Sequence, residues 1–209
     1  MTHGLAMTAS PARPIVLASA SVARQKMLAA AGVPAISDAA HIDESAVKGS
    51  MAQRGATPRD VAIALAEFKA GQVSSRHPGA LVIGADQILE CDGRMYDKPS
   101  SLAAARQQLL DLRGRTHTLV SAVVVVQDRQ RLWHESAAAR LTVRAFSDRF
   151  LDDYLTRLGD AVCRSVGAYQ LEGLGVQLFS KIDGDFFTIL GMPLMPLLSY
   201  LRGNGAISS

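Results

Sequence analysis

A short set of charged residues stands beside apolar runs in this sequence. Asp86 and Lys98 flank a turn in GADQILECDGRMYDKP (84–99), Lys69 lies in LAEFKA (65–70), and Arg24 follows two hydroxyls, Ser19 and Ser21, in LASASVARQKML (17–28). An ionised carboxylate at the edge of so apolar a strand is costly unless a cation or several donors meet it, which singles out Asp86. With Asp43 and Glu44 of HIDES (41–45) it offers oxygen ligands of the kind that hold Mg²⁺. Pro99 confines Lys98 to extended backbone and so gives its side chain a defined direction. Where a strand hands over to a helix, unpaired N–H groups and the helix dipole favour an anion, and the hydroxyls and Arg24 added there make a phosphate seat. In GAYQLEGLG (167–175), Glu172 stands among glycines that allow close backbone approach to a ligand. Its carboxylate suits the two adjacent N–H donors of guanine, whereas an amide suits uracil better.

Each of these has a plainer reading. Ser21 can be an N-cap, Arg24 a solvated face, Lys69 and Lys98 surface lysines, and Glu172 a loop acid. At the level of residue types both readings stand. Other chemistries find less support: there is no GxxxxGK phosphate loop, no HExxH or HxxxH spacing and no GxSxG elbow. Net charge is only +3 from 22 basic and 19 acidic residues, with no block of like charge, so nucleic acid is not an expected partner and a small polyanion is compatible. Cys91 and Cys163 match neither a metal spacing nor a disulfide framework, which points to a reducing compartment. The first residues lack the apolar segment of a secretory signal, and nowhere do eighteen apolar residues run together, so a cytoplasmic protein with no membrane partner is expected.

The elements that must position these residues follow from periodicity and punctuation. A strand at 14–19 passes to a helix capped by Ser21 and closed by Gly32, and the stretch around HIDES reads as irregular. Thr57-Pro58 opens a helix carrying Lys69. The strand 81–90 turns back through Asp92-Gly93, a strong hairpin signal. A helix capped by Ser100 or Ser101 runs to Leu112, long strands at 116–127 and 132–146 are joined by a polar turn, and a helix spans 147–158. The last third reads as glycine-punctuated strand and loop, with a short helix after Pro193. Hairpins within an alternating pattern predict an α/β fold with a mixed twisted sheet and flanking helices. We expect a flexible lead-in at 1–13, with Met7 a possible second start, one domain over 14–203 and a tail at 204–209.

In order along the chain, LASASVARQKML, HIDE, LAEFKA, GADQILECDGRMYDKP, LRGRTHTLVS, GAYQLEG and IDGDFFTILGMPL resemble the Maf family from Ile15 to Leu201. The resemblance implies a two-lobed fold with a central cleft, like that of the inosine triphosphate pyrophosphatases. It also implies a homodimer that hydrolyses nucleoside triphosphates to monophosphate and pyrophosphate with Mg²⁺ or Mn²⁺. It gives Ser19, Ser21 and Arg24 to the phosphates and Glu44 and Asp86 to the metal. Lys69 and Lys98 match active-site lysines, and Glu172 stands at the base-contacting position. Gln87 and Glu172 are similar to the branch that acts on 7-methyl-GTP rather than to the dTTP and UTP branch, although that branch has Trp where Ala23 stands. The family is also linked to inhibition of septum formation, so a nucleotide-binding regulator without turnover is the rival expectation.

Overall fold

The computed structural model describes residues 13–208; the expected lead-in lies outside the described residues except for Arg13. A seven-stranded mixed sheet has the order β2-β1-β3-β5-β6-β7, with β4 paired to β3 off this path. β1 (Ile15–Leu17) lies parallel to both β2 (Ala35–Ser37) and β3 (Leu81–Cys91). From β3 onward the ladder is antiparallel, through β5 (Thr116–Gln127), β6 (Gln130–Val143) and β7 (Phe179–Asp183). The mixed sheet expected from the hairpins is therefore present, and its central strands are apolar on both faces because both faces are covered.

Two turns set the register. Asp92 (φ +51°) and Gly93 (φ +80°) form the tight hairpin between β3 and β4 (Arg94–Tyr96), with Cys91 opposite Arg94. Asp128 (φ +49°) and Arg129 (φ +65°) do the same between β5 and β6, so that turn is two residues long rather than reaching to Arg131.

The core falls into three clusters on the two faces of the sheet. On one face, α1 (Val22–Ala30) and α7 (Leu194–Gly203) pack on Ile83, Ala85 and Val123. Farther along the same face of β3, α4 (Leu102–Leu112) and α5 (Asp148–Leu158) pack on Leu89, Cys91 and Leu119. The opposite face carries α3 (Pro58–Ser74), whose Val61, Leu65 and Ala66 meet Val82, Ile88 and Val124. Between the first two clusters on their face of β3, Gln87 donates from Nε2 toward Ser121 Oγ and the carbonyls of Thr188 and Ile189, fastening α6 (Phe186–Ile189) to the sheet.

Besides the β5–β6 turn, the sequence reading departs from the structure in three more places. HIDES is not irregular throughout, because Asp43 accepts from the Ala46 N–H at 2.9 Å and caps α2 (Glu44–Gln53). That helix buries none of its residues, so no apolar stripe announced it. The span 159–178 is built from short 3-10 turns rather than strands, and Asn204 and Ala206 beyond α7 are packed, with Arg13 hydrogen-bonded to Asn204.

Two positions generate predictions. A Cβ on Gly84 would lie 2.0 Å from the Ala66 carbonyl oxygen, so glycine is what lets α3 approach β3 this closely. Gly84→Ala should destabilise the fold by about 1–3 kcal/mol, read from denaturant unfolding. His117, on β5, is buried, with Nε2 2.6 Å from the Tyr169 hydroxyl and Nδ1 without a partner. Burial lowers its pKa to about 4 from the ordinary 6.5. The unfolded chain binds that proton first, so stability should fall by about 3 kcal/mol as pH drops from 6.5 toward 4, the full contribution being present above 6.5. Urea midpoints across this range should show a slope that His117→Phe flattens.

Candidate active site

The site grows from a gap in strand pairing. On one edge of β3, β1 pairs as far as Ile83 and β4 begins at Leu89, so Gly84 to Ile88 have no strand partner on that side. The exposed backbone is met by side chains instead: Arg24 Nη1 donates to the Ala85 carbonyl at 2.8 Å. Asp86 lies in this notch, 5% exposed, on the same face as Gly84. Because Gly84 admits α3, Lys69, one turn beyond Ala66, places Nζ 2.5 Å from Asp86 Oδ1. The same ammonium is 2.7 Å from Glu44 Oε1 at the start of α2.

Glu44 is half exposed, and its pKa lies below the ordinary carboxylate value. Partial burial opposes ionisation, but the Lys69 hydrogen bond and the charges of Lys69, Lys48 and Lys98 outweigh it. Arg24 is buried; desolvation lowers its pKa, opposed by Asp86 and Glu44, and a guanidinium stays charged under such conditions. It braces the floor of the notch, with Nε on the Gly191 carbonyl at 2.9 Å and Nη1 also 3.3 Å from Ser19 Oγ. Ser21 caps α1 by accepting from the Arg24 N–H at 3.5 Å, so the plainer reading of Ser21 and the phosphate reading describe one and the same helix terminus.

Lys98, just after β4, is exposed, with no hydrogen bond or ion pair from its side chain among the described residues. Desolvation, and then the charges of Arg24 and Lys69, lower its pKa, partly offset by Glu44 and Asp86. The structure brings together Ser19, Ser21, Arg24, Glu44, Lys69 and Asp86, with Lys98 near them. Gln87 points to the face of β3 on which α1 packs and donates to the Thr188 and Ile189 carbonyls, close in sequence to the Gly191 carbonyl that Arg24 holds, and Glu172 is exposed in the turn at 171–173, with no hydrogen bond or ion pair from its side chain among the described residues. Three residues were missed by sequence reasoning. Lys48, one helical turn after Glu44, pairs with Asp97 at 2.5 Å beside Lys98, and Gln108 donates to the Asp97 carbonyl. The i, i+4 spacing of Glu44 and Lys48 was the available signal for the first.

Among the described residues no group of three or more His, Cys, Asp or Glu side chains could by itself hold a metal ion. Two carboxylates converge on one ammonium, however, and Glu44 Oε2 and Asp86 Oδ2 have no hydrogen-bond partner among the described residues. That donor set, hard and incomplete, fits a divalent cation that takes its remaining ligands from a polyphosphate and water.

No helix among the described residues is long and apolar enough to cross a membrane. Comparison with known proteins agrees with the geometry. The family model described as Maf-like protein matches residues 14–204. A nucleoside triphosphate pyrophosphatase of Paramagnetospirillum magneticum is 58% identical over 92% of this chain and 99% of its own length. A 7-methyl-GTP pyrophosphatase of Brucella abortus is 49% identical over 90% of this chain and 94% of its own. A dITP/XTP pyrophosphatase structure from Mycobacterium abscessus aligns with 92% of this chain and 96% of its own at 17% identity, with a TM-score of 0.43, too slight a likeness to build on. With the match running from the first strand to just past the last helix, and relatives sharing about half or more of its residues, this chain belongs to the Maf family.

Proposed function

We propose that the protein is a nucleoside triphosphate pyrophosphatase that cleaves between the α- and β-phosphates. The observation that carries this reading is the convergence of Glu44 and Asp86 on Lys69, in a notch that Arg24 and Lys98 also charge positively. A buried ion pair is weak evidence for stability, whereas carboxylates and cations gathered around an open strand edge suit a polyphosphate. Family membership and the names of the relatives support the same reaction.

In this reading Ser19, Ser21 and the start of α1 seat the phosphates. Lys69 fixes Asp86 through Oδ1, which leaves Oδ2 to accept a proton from water as it attacks the α-phosphorus in line. The bond from that phosphorus to the bridging oxygen breaks, and pyrophosphate departs with its charge met by Lys98, Lys69 and Arg24. Glu44 and Asp86 would hold a divalent cation, magnesium or manganese, which when bound supplies charge neutralisation to the triphosphate. Glu172 lies on the base side, and the preferred substrate is 7-methyl-GTP or a related purine nucleotide, in keeping with the Brucella relative. A cytoplasmic homodimer completes the reading.

Pyrophosphate release from a panel of triphosphates with Mg²⁺ or Mn²⁺ tests the reaction. Tight binding without product under either metal would instead favour a regulator. Asp86→Asn should lower kcat about a hundredfold or more while leaving the fold intact. Lys98→Ala should lower kcat/KM by roughly a hundredfold, and an unchanged value would remove it from the site. Since the pKa of Lys98 is depressed, its charge is lost as pH rises through a value below the ordinary 10.5. The alkaline limb of kcat/KM should therefore begin below the usual lysine range and move upward in Lys98→Arg.

A further inference from the structure

The two loops given separate tasks above, 97–98 toward the phosphates and 167–175 toward the base, are joined by one side chain. Gln108, on α4, is 9% exposed. Its Nε2 donates to the Asp97 carbonyl at 2.9 Å, and its Oε1 accepts from the Gly167 N–H at 2.8 Å. One neutral amide thus satisfies an acceptor in the phosphate arm and a donor in the base arm.

The base arm needs such a hold. Gly167 (φ +84°) and Ala168 (φ +59°) are consecutive residues in the left-handed region, and Ala168 adopts it with a side chain. A Cβ on Gly167 would lie 2.4 Å from Tyr169 Cε1 and 2.8 Å from Leu89 Cδ1, so the turn is also sterically shut. Backbone of this kind persists only where its surroundings over-determine it. The Tyr154 hydroxyl donates to the Ala168 carbonyl at 3.1 Å, and Ser165 Oγ donates to the Tyr169 carbonyl at 2.5 Å. These two bonds come from α5 and from the turn itself, whereas the Gln108 bond comes from the side chain that also grips the segment before Lys98.

We propose that Gln108 is a positioning residue that sets the loop bearing Glu172 relative to Lys98, and thereby sets discrimination among nucleotide bases. It touches neither phosphate nor base. The inference rests on the reading that Lys98 meets the phosphates and Glu172 the base. Binding energy at the base can assist the reaction only if the two arms keep a fixed separation, because a shift of about 1 Å between groups that must act together costs up to roughly a hundredfold in rate.

Two variants separate the two halves of the amide. Gln108→Leu leaves both the Asp97 carbonyl and the Gly167 N–H unpaired. It should lower kcat/KM on the preferred triphosphate roughly tenfold and compress the preference over the next-best base by about threefold or more. Gln108→Glu keeps an acceptor for the Gly167 N–H but sets a carboxylate against the Asp97 carbonyl. It should also lower kcat/KM and compress the base preference, because the tie to the phosphate arm is lost although the base arm stays held. Amide hydrogen exchange, measured without nucleotide, should rise in both 94–98 and 167–175 for the Leu variant and chiefly in 94–98 for the Glu variant. A preserved base preference in Gln108→Leu, or exchange changes confined to one loop in that variant, would overturn the positioning role. Should the Leu variant fail to fold, a base preference fully retained in the Glu variant would overturn it as well. A parent protein that hydrolyses no triphosphate would overturn the proposed reaction instead, and the exchange pattern then decides the coupling by itself.

Discussion

The structure turns on the ammonium of Lys69 held between two carboxylates. Asp86 is nearly inaccessible, and a lone charge there would be expelled or neutralised, so its place in β3 requires a cation brought to it. The cation arrives because Gly84, two residues earlier on the same face, removes the side chain that would otherwise hold α3 off the sheet. The capping box at Thr57 and Asp60 starts that helix, and its register then puts Lys69 over Asp86 one turn beyond the close contact at Ala66. A packing feature with no chemistry of its own thereby decides where the chemistry sits.

Arg24 shows how the same notch is kept open without being left unsatisfied. Between Ile83 and Leu89 one edge of β3 has no strand beside it, and bare backbone there would be costly. The Ala18 N–H reaches the Ile83 carbonyl at 2.8 Å, and Arg24 takes the Ala85 carbonyl while also gripping Gly191 and Ser19. Gly191, at φ +102°, sits where a Cβ would come 3.1 Å from Arg24 Nη2. The guanidinium therefore does structural work with two of its nitrogens, while Nη2 has no hydrogen-bond partner among the described residues. The plainer sequence reading of Arg24 as a solvated face fails because the side chain is buried, and its five donors leave room for a scaffold role beside a ligand.

Much of this was legible in the sequence, for an identifiable reason. Asp86, Lys69 and Lys98 stand out because charge beside apolar runs, or beside proline, is physically conspicuous. The hairpin at Asp92-Gly93 is conspicuous because its φ values exclude most residues. What was hidden lacks such contrast. The helix α2 rests on ion pairs and contact with α3, so it has no buried stripe to betray it. The 3-10 turns of 159–178 are held by side chains remote in sequence, among them Gln108, Tyr154 and His117. Gln87 was visible beside Asp86, yet strand alternation turns it to the other face, where its amide nitrogen is spent on Ser121 and two carbonyls. Adjacency along a strand sends two side chains to opposite faces, so Asp86 meets α3 while Gln87 meets α6.

The elements around the notch are consequently built to different standards of rigidity. The turn at 165–169 is bolted by buried and part-buried hydrogen bonds whose rupture would leave polar groups unpaired. By contrast, α2 buries no side chain and is tied to its neighbours by Glu44–Lys69 and Lys48–Asp97, each with a partner open to solvent. Exposed ion pairs contribute about 1 kcal/mol or less and are exchanged readily for other charges. The Lys69–Asp86 pair is of the other kind: both side chains are nearly inaccessible, and parting them would leave a buried charge uncompensated. The contacts of α2 can therefore be exchanged while the ammonium that β3 requires stays on Asp86, because Lys69 comes from α3 and not from α2.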